Sequence, residues 1–222
     1  LPPAGASFSP QGALSSKAAA ELGLPAGTPV AYRAGDQPNN ALSLNVLEPG
    51  EIAATAGTSG VVYGVGDRAA YDPASRVNTF VHVNHSPDHP RYGTLLCVNG
   101  TAILNSWLRH NVLAGKGESL SYEEMNALAA EAPPGSDGLI ILPFGNGAER
   151  TLENRDPGAS IHGLSFTRHT RAHLLRAAQE GIVFALRHGL QIMAGMGLRP
   201  SRVRAGNANM FLSPLFAEAF AT

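Results

Sequence analysis

The chain has 222 residues, 44% of them apolar and 15% charged, which excludes a disordered tract and allows one sizeable core or two small ones. A formal net charge of −1 offers no field to gather nucleic acid or an anionic membrane. The lone cysteine, Cys97, rules out an internal disulfide and, inside Leu95-Leu96-Cys97-Val98, reads as a buried inert thiol.

No apolar run reaches membrane-spanning length and no secretory leader pattern opens the chain, so a cytoplasmic location is expected. Leu1 stands first, in a run rich in Pro, Gly, Ala and Ser, which suggests a piece of something longer. Residues 1–15 read as loop. Ser16 to Leu22 has helix-forming composition with Gly23 as its stop. A first strand is expected over Val30 to Ala34, ending at Gly35-Asp36, and then a helix over Asn39 to Val46 with Pro38 in its first turn. Glu51–Ala56 and Val61–Val65 flank Gly57-Thr58-Ser59-Gly60 and predict a hairpin whose glycines supply positive φ. Further strands are expected over Thr79–Val83 and Thr94–Val98, separated by a solvated His-rich loop.

Ile103, Leu104, Trp107 and Leu108 fall at helical spacing within Gly100 to Val112, and Trp107 reads as core. A helix over Tyr122 to Ala132, a short apolar strand over Leu139 to Leu142 and a polar loop over Pro143 to Ser160 follow. The longest periodic segment runs from Thr170 to Met193, where Gly181 implies close packing. Arg168, Arg171 and Arg176 read as a solvated face. A last strand, Arg202 to Ala205, turns through Gly206-Asn207-Ala208-Asn209 into a helix over Met210 to Ala221. Strands alternating with helices, one hairpin included, predict an α/β fold with a mixed sheet.

Several residues could carry chemistry. Asp36 at a strand end is either a general base facing a cleft or the cap of the helix that follows; the residues alone favour the cap. The Gly57–Gly60 turn is either a plain hairpin or one whose N–H groups and hydroxyls also hold phosphate oxygens. It is not the Gly-x-x-x-x-Gly-Lys-Ser/Thr loop, which the chain lacks. Gly206 and Asn209 lie in a strand-to-helix turn, a common ligand position in α/β sheets. His82, His85 and His89 look like metal ligands only superficially, given Ser86-Pro87-Asp88 between them.

The order of motifs is more specific than any one of them. It runs Gly27-Thr28-Pro29-Val30, Ala34-Gly35-Asp36, Glu48-Pro49-Gly50-Glu51 and Gly57-Thr58-Ser59-Gly60-Val61-Val62. It continues with Leu142-Pro143-Phe144-Gly145-Asn146-Gly147-Ala148-Glu149-Arg150-Thr151, Asp156-Pro157, and Arg171…Leu174-Leu175-Arg176-Ala177-Ala178…Glu180-Gly181-Ile182-Val183-Phe184. This order resembles the C-terminal domain of the FGGY carbohydrate kinases, most of all their xylulokinase branch. The resemblance implies an actin-like, ribonuclease H-like ATPase fold, a mixed sheet with flanking helices. Residues 1–222 would be most of the nucleotide-binding domain, with the N-terminal sugar-binding domain absent and the fragment alone weakly active or inactive.

It further implies ATP-dependent transfer of a phosphoryl group to a sugar hydroxyl, D-xylulose to D-xylulose 5-phosphate first, with Mg²⁺ neutralising the phosphates. Asp36 would be the catalytic base, Gly57, Thr58 and Ser59 the phosphate loop, and Gly100 a nucleotide-side position. Gly206 and Asn209 would belong to the adenosine motif, although Ala205 stands where the family usually has a further glycine. The implied partners are ATP and a sugar or polyol, with a homodimer left open and neither nucleic acid nor membrane among them. A kinase for ribulose, glycerol or gluconate, a non-catalytic nucleotide-binding or dimerisation module, and an actin-like polymer or chaperone ATPase are the alternatives.

Overall fold

The computed structural model describes residues 5–113 and 120–222, so the first four residues of the expected N-terminal loop lie outside it. Its central sheet has five strands. The hairpin of β3 (Glu51–Ala56) and β4 (Gly60–Gly66) pairs Ile52 with Gly64 and Ala56 with Gly60. On the β4 side follow β6 (Tyr92–Val98) and then β5 (Asn78–Val81), both antiparallel. On the β3 side lies β9 (Arg202–Ala205), parallel to it with Ile52 opposite Val203. The sheet is therefore mixed, as the hairpin required.

Helix α5 (Arg171–Gly195) covers one face of this sheet. Its Ile182, Leu186 and Met193 pack with Ile52, Val62, Leu96 and Val98, all fully buried, which explains the apolar spacing read from the sequence. At Gly181 a Cβ would stand 1.9 Å from the Ile141 carbonyl oxygen, so only glycine lets the helix approach so closely. The opposite face buries Ala53, Tyr63 and Val65 against Ala41 and Val46, contributed by α2 (Asp36–Ser43) and the turn after it. A second cluster joins Met125 and Ala129 of α4 (Tyr122–Ala130) to Leu175 and Ala178 of α5 and to Ile141 of β7 (Ile140–Leu142). No helix among the described residues is long and apolar enough to cross a membrane.

The departures from expectation have local causes. Instead of a strand over residues 30–34, only β2 (Pro29–Val30) pairs, with β1 (Gly12–Ala13); these residues lie off the main sheet and are largely exposed. Helix α1 (Ser16–Leu22) stops at Gly23 as read, at φ 66°; its start is capped by Ser15, whose hydroxyl accepts from Ala18 N–H. The loop over residues 143–160 ends in an unexpected strand, β8 (Ser160–His162), which pairs with β7 in a separate two-stranded sheet. The last helix is split: a 3-10 turn over Asn209–Leu212 precedes α6 (Pro214–Ala221), because Ser213 caps and Pro214 suits the first helical position.

Three side chains lie elsewhere than composition suggested. Trp107 is half exposed at the end of α3 (Ala102–Trp107), on the rim of an apolar groove with Ile161 and Pro143. Arg176 is largely buried, its Nε 2.7 Å from Glu180 Oε1 and its Nη1 2.8 Å from the Ala132 carbonyl, so it fastens α5 to the end of α4. His82 belongs to the core and not to the solvated loop. Val46 O can only accept, so His82 Nε2 carries the proton and Nδ1 accepts from the Tyr63 hydroxyl, both at 3.0 Å. Among the described residues no three His, Cys, Asp or Glu side chains gather as a metal site.

Candidate functional site

The turn Gly57-Thr58-Ser59 and the first turn of α3 are built together. No side chain caps α3; its first N–H groups, of Ala102 and Ile103, donate to the Gly57 and Thr58 carbonyls at 3.0 and 3.4 Å. Those carbonyls thus face the helix. Among the described residues the Thr58 and Ser59 N–H groups find no backbone acceptor, and the Thr58 side chain is exposed. Neither Gly57 nor Gly60 has positive φ, contrary to the hairpin expectation. Gly60 is needed for space, since a Cβ there would lie 2.6 Å from Thr101 Oγ1.

Thr58 opens into a cleft of about 700 Å³. Its walls come from α3 (Ala102, Ile103, Asn105, Ser106), from α4 (Tyr122, Glu123, Asn126), and from Asn209, Met210, Leu212 and Ser213. Asn209 adopts φ 54°, a left-handed conformation asparagine tolerates, and a Cβ on Gly57 would lie 3.7 Å from its amide nitrogen. The structure therefore brings the Gly57–Ser59 turn and Asn209 together, although about 150 residues separate them. The Arg109 guanidinium lies over the Tyr122 ring, 4.8 Å from its centre, and steadies that wall.

The other candidates stand apart from this lining. Gly206 is half-buried near Leu44 and does not line the cleft. Asp36 is the first residue of α2, with Gly35 in the cap position. Its exposed carboxylate accepts from the Gln37 N–H at 2.8 Å. Gly100 is buried beneath α3, where a Cβ would stand 1.5 Å from Pro143 O. It shapes the turn before α3 and does not line the cleft.

What holds that turn is a residue to which sequence reasoning gave no role. Glu149 is fully buried and its carboxylate accepts from Asn99 N–H at 3.0 and 3.1 Å and from Gly100 N–H at 3.2 Å. Asn99 and Asn146 complete the clasp by bonding Ala148 O and Asn99 O. The only signal was its position in the Gly145–Thr151 run quoted above.

Burial pushes the Glu149 carboxyl above its ordinary value of 4.5, against the pull of the two N–H donors, and the nearby Asp156 adds to the rise. The folded state therefore holds this proton more tightly than the unfolded chain. The group's contribution to stability is complete below pH 4.5 and is lost as pH rises through the higher folded value. Glu149→Gln keeps an acceptor oxygen and removes the charge. Between about pH 4.5 and 7 its melting temperature should gain on the wild type as pH rises; a difference that stays constant with pH would show that the N–H donors cancel the effect of burial.

With the geometry in view, the chain can be compared with known proteins. Residues 52–206 match the family model described as FGGY family of carbohydrate kinases, C-terminal domain. The chain is 32% identical over 170 residues to the xylulose kinase of Haemophilus influenzae, covering 77% of this chain and 32% of that protein. It is 30% identical over 174 residues to the gluconokinase of Bacillus subtilis, covering 76% and 33%. The crystal structure of xylulose kinase from Rhodospirillum rubrum superposes over 100% of this chain and 43% of its own, with a TM-score of 0.85 and 30% identity. The chain thus spans about a third of the length of the curated relatives it matches.

Proposed function

This chain belongs to the FGGY family of carbohydrate kinases, and on that premise we propose that it is the nucleotide-binding half of an ATP-dependent sugar kinase. Its fold is the actin-like α/β arrangement of that family. Residues 1–222 are then most of the C-terminal domain, and most sugar contacts come from a domain outside them. One observation carries the reading: Thr58, whose N–H finds no acceptor among the described residues, and Asn209 line one cleft large enough for a nucleotide.

In the reaction so read, a sugar hydroxyl oxygen attacks the γ-phosphorus of ATP in line. The new O–P bond forms as the bond to the β,γ-bridging oxygen breaks, and ADP leaves. The hydroxyl proton passes to the Asp36 carboxylate. Thr58 and Ser59 hold phosphate oxygens through N–H and hydroxyl groups, and Asn209 closes the adenosine side. The exposed Asp36 carboxylate is the group of this reading that would help hold Mg²⁺, together with water and the nucleotide phosphates. When bound the ion neutralises phosphate charge.

Xylulose is the first substrate of this reading, supported by the Haemophilus and Rhodospirillum relatives; gluconate is the second, supported by the Bacillus one. Calorimetric titration of Mg-ATP tests the nucleotide site. A Gly57→Val, Thr58→Ala variant should bind at least about tenfold more weakly, since a hydrogen bond to a charged group contributes roughly 1.5–3 kcal/mol. Equal affinity in a variant with an unchanged melting temperature would remove this turn from the site. Turnover of the full-length enzyme with xylulose and gluconate then separates the two substrates.

A further inference from the structure

We propose that Asn126 and Asn105 read the base of the bound nucleotide at its N1 edge, and that buried Gln179 sets the direction in which Asn126 reads. The inference rests on the cleft being the nucleotide site. It starts from Ser213, which is 2% exposed and whose hydroxyl oxygen accepts from the Phe216 N–H at 3.3 Å. The hydroxyl proton has one acceptor among the described residues, Gln179 Oε1 at 2.8 Å. The reverse orientation of the glutamine amide would leave that buried proton without a partner.

Gln179, itself fully buried, must then turn its amide nitrogen to Asn126, and its Nε2 lies 3.0 Å from Asn126 Oδ1. With its oxygen engaged, Asn126 is left with its NH₂ group to offer to the cleft it lines. Three hydrogen bonds thus convert a helix cap into a fixed donor on the cleft wall. Asn105 lines the same cleft, is 4% exposed, and its Oδ1 has no partner among the described residues. Bonded to nothing among the described residues, the Asn105 amide is able to turn its oxygen to an occupant of the cleft, where that oxygen gains the partner it lacks.

A fixed donor beside an open acceptor complements adenine, whose N1 accepts and whose N6 amine donates. Hypoxanthine and guanine carry N1–H and O6 instead, so donor would meet donor at Asn126. Asn105, without other bonds, could rotate to suit O6; Asn126 could not, because Gln179 and Ser213 hold it. Discrimination therefore falls mainly on Asn126.

The test is calorimetric binding of Mg-ATP and Mg-ITP to the wild type and to Asn126→Ala, Asn105→Ala and Gln179→Glu, each checked by thermal melting. The wild type should prefer ATP by about tenfold or more. Asn126→Ala should bring the two within about threefold, whereas Asn105→Ala should weaken both and leave their ratio within about threefold of the wild type. In Gln179→Glu one carboxylate oxygen still accepts from Ser213, and the other can accept from Asn126 only if that amide rotates, presenting its oxygen to the cleft. ITP should then bind at least as well as ATP, although residue 179 does not line the cleft; where that variant does not fold, Asn126→Ala decides. A wild type that binds both nucleotides equally, or an ATP-to-ITP ratio unchanged in folded Asn126→Ala, overturns the base-reading role alone. A wild type that binds neither overturns the nucleotide site and this inference with it.

Discussion

Asp36→Asn is expected to lower kcat of the full-length kinase by about 10²–10⁴-fold, the usual contribution of a positioned general base, while affinity for Mg-ATP stays within a few-fold. The exchange isolates the proton-accepting role. Asparagine has the same shape, and its oxygen can still accept from the Gln37 N–H, the one close backbone bond the carboxylate makes. Asp36 is exposed and Gly35 occupies the cap position, so folding has little need of the charge. The helix-dipole interaction lost is about 0.3–1 kcal/mol. A helix-terminal role alone would give the opposite pattern, a lower melting temperature with kcat intact. Near-normal turnover in a coupled ADP-release assay would take Asp36 out of the mechanism.

The second large effect is on stability. Gly100→Ala should cost about 3 kcal/mol or more, and lower the melting temperature by roughly 6–12 °C. The added Cβ would fall 1.5 Å from a backbone oxygen, that of Pro143, and no side-chain rotation relieves such an overlap. Movement of either partner is opposed: Gly100 is bonded to buried Glu149, and Pro143 follows β7, which packs on α5. Gly195→Ala is the control, because nothing lies within 4 Å of its Cβ position at the end of α5, and it should be neutral or stabilise by up to about 1 kcal/mol. If Gly100→Ala melts like the wild type, the Pro143 contact does not constrain the turn.

Much of the architecture could be read from local pattern. The alternation around residues 57–60 predicted the hairpin, and apolar spacing predicted the face of α5, because burial on one side of an element repeats at that element's own period. The Gly23 stop is likewise local hydrogen bonding. The errors occur where neighbours distant in sequence decide. Trp107 has helical spacing like Leu108, yet one is half exposed on the rim of a groove and the other is buried in the core. Arg176 looks solvated until Glu180 and the Ala132 carbonyl neutralise and bond it.

The same division runs through the site. The sequence by itself determined the hairpin turn, the position of Asp36 where α2 begins and the asparagine-rich turn after β9, and their order carried the family resemblance. Local chemistry suffices for these, as turns and helix ends depend on residues within a few positions. Only the tertiary structure decided that Thr58 and Asn209 share a cleft, that Gly206 and Gly100 do not line it, and that Asn105, Asn126 and Ser213 complete it. It alone revealed Glu149 beneath the Asn99–Gly100 turn and Gln179 behind Asn126. The physical reason is that a buried polar group is defined by its partners, and these partners lie between 34 and 53 residues away along the chain.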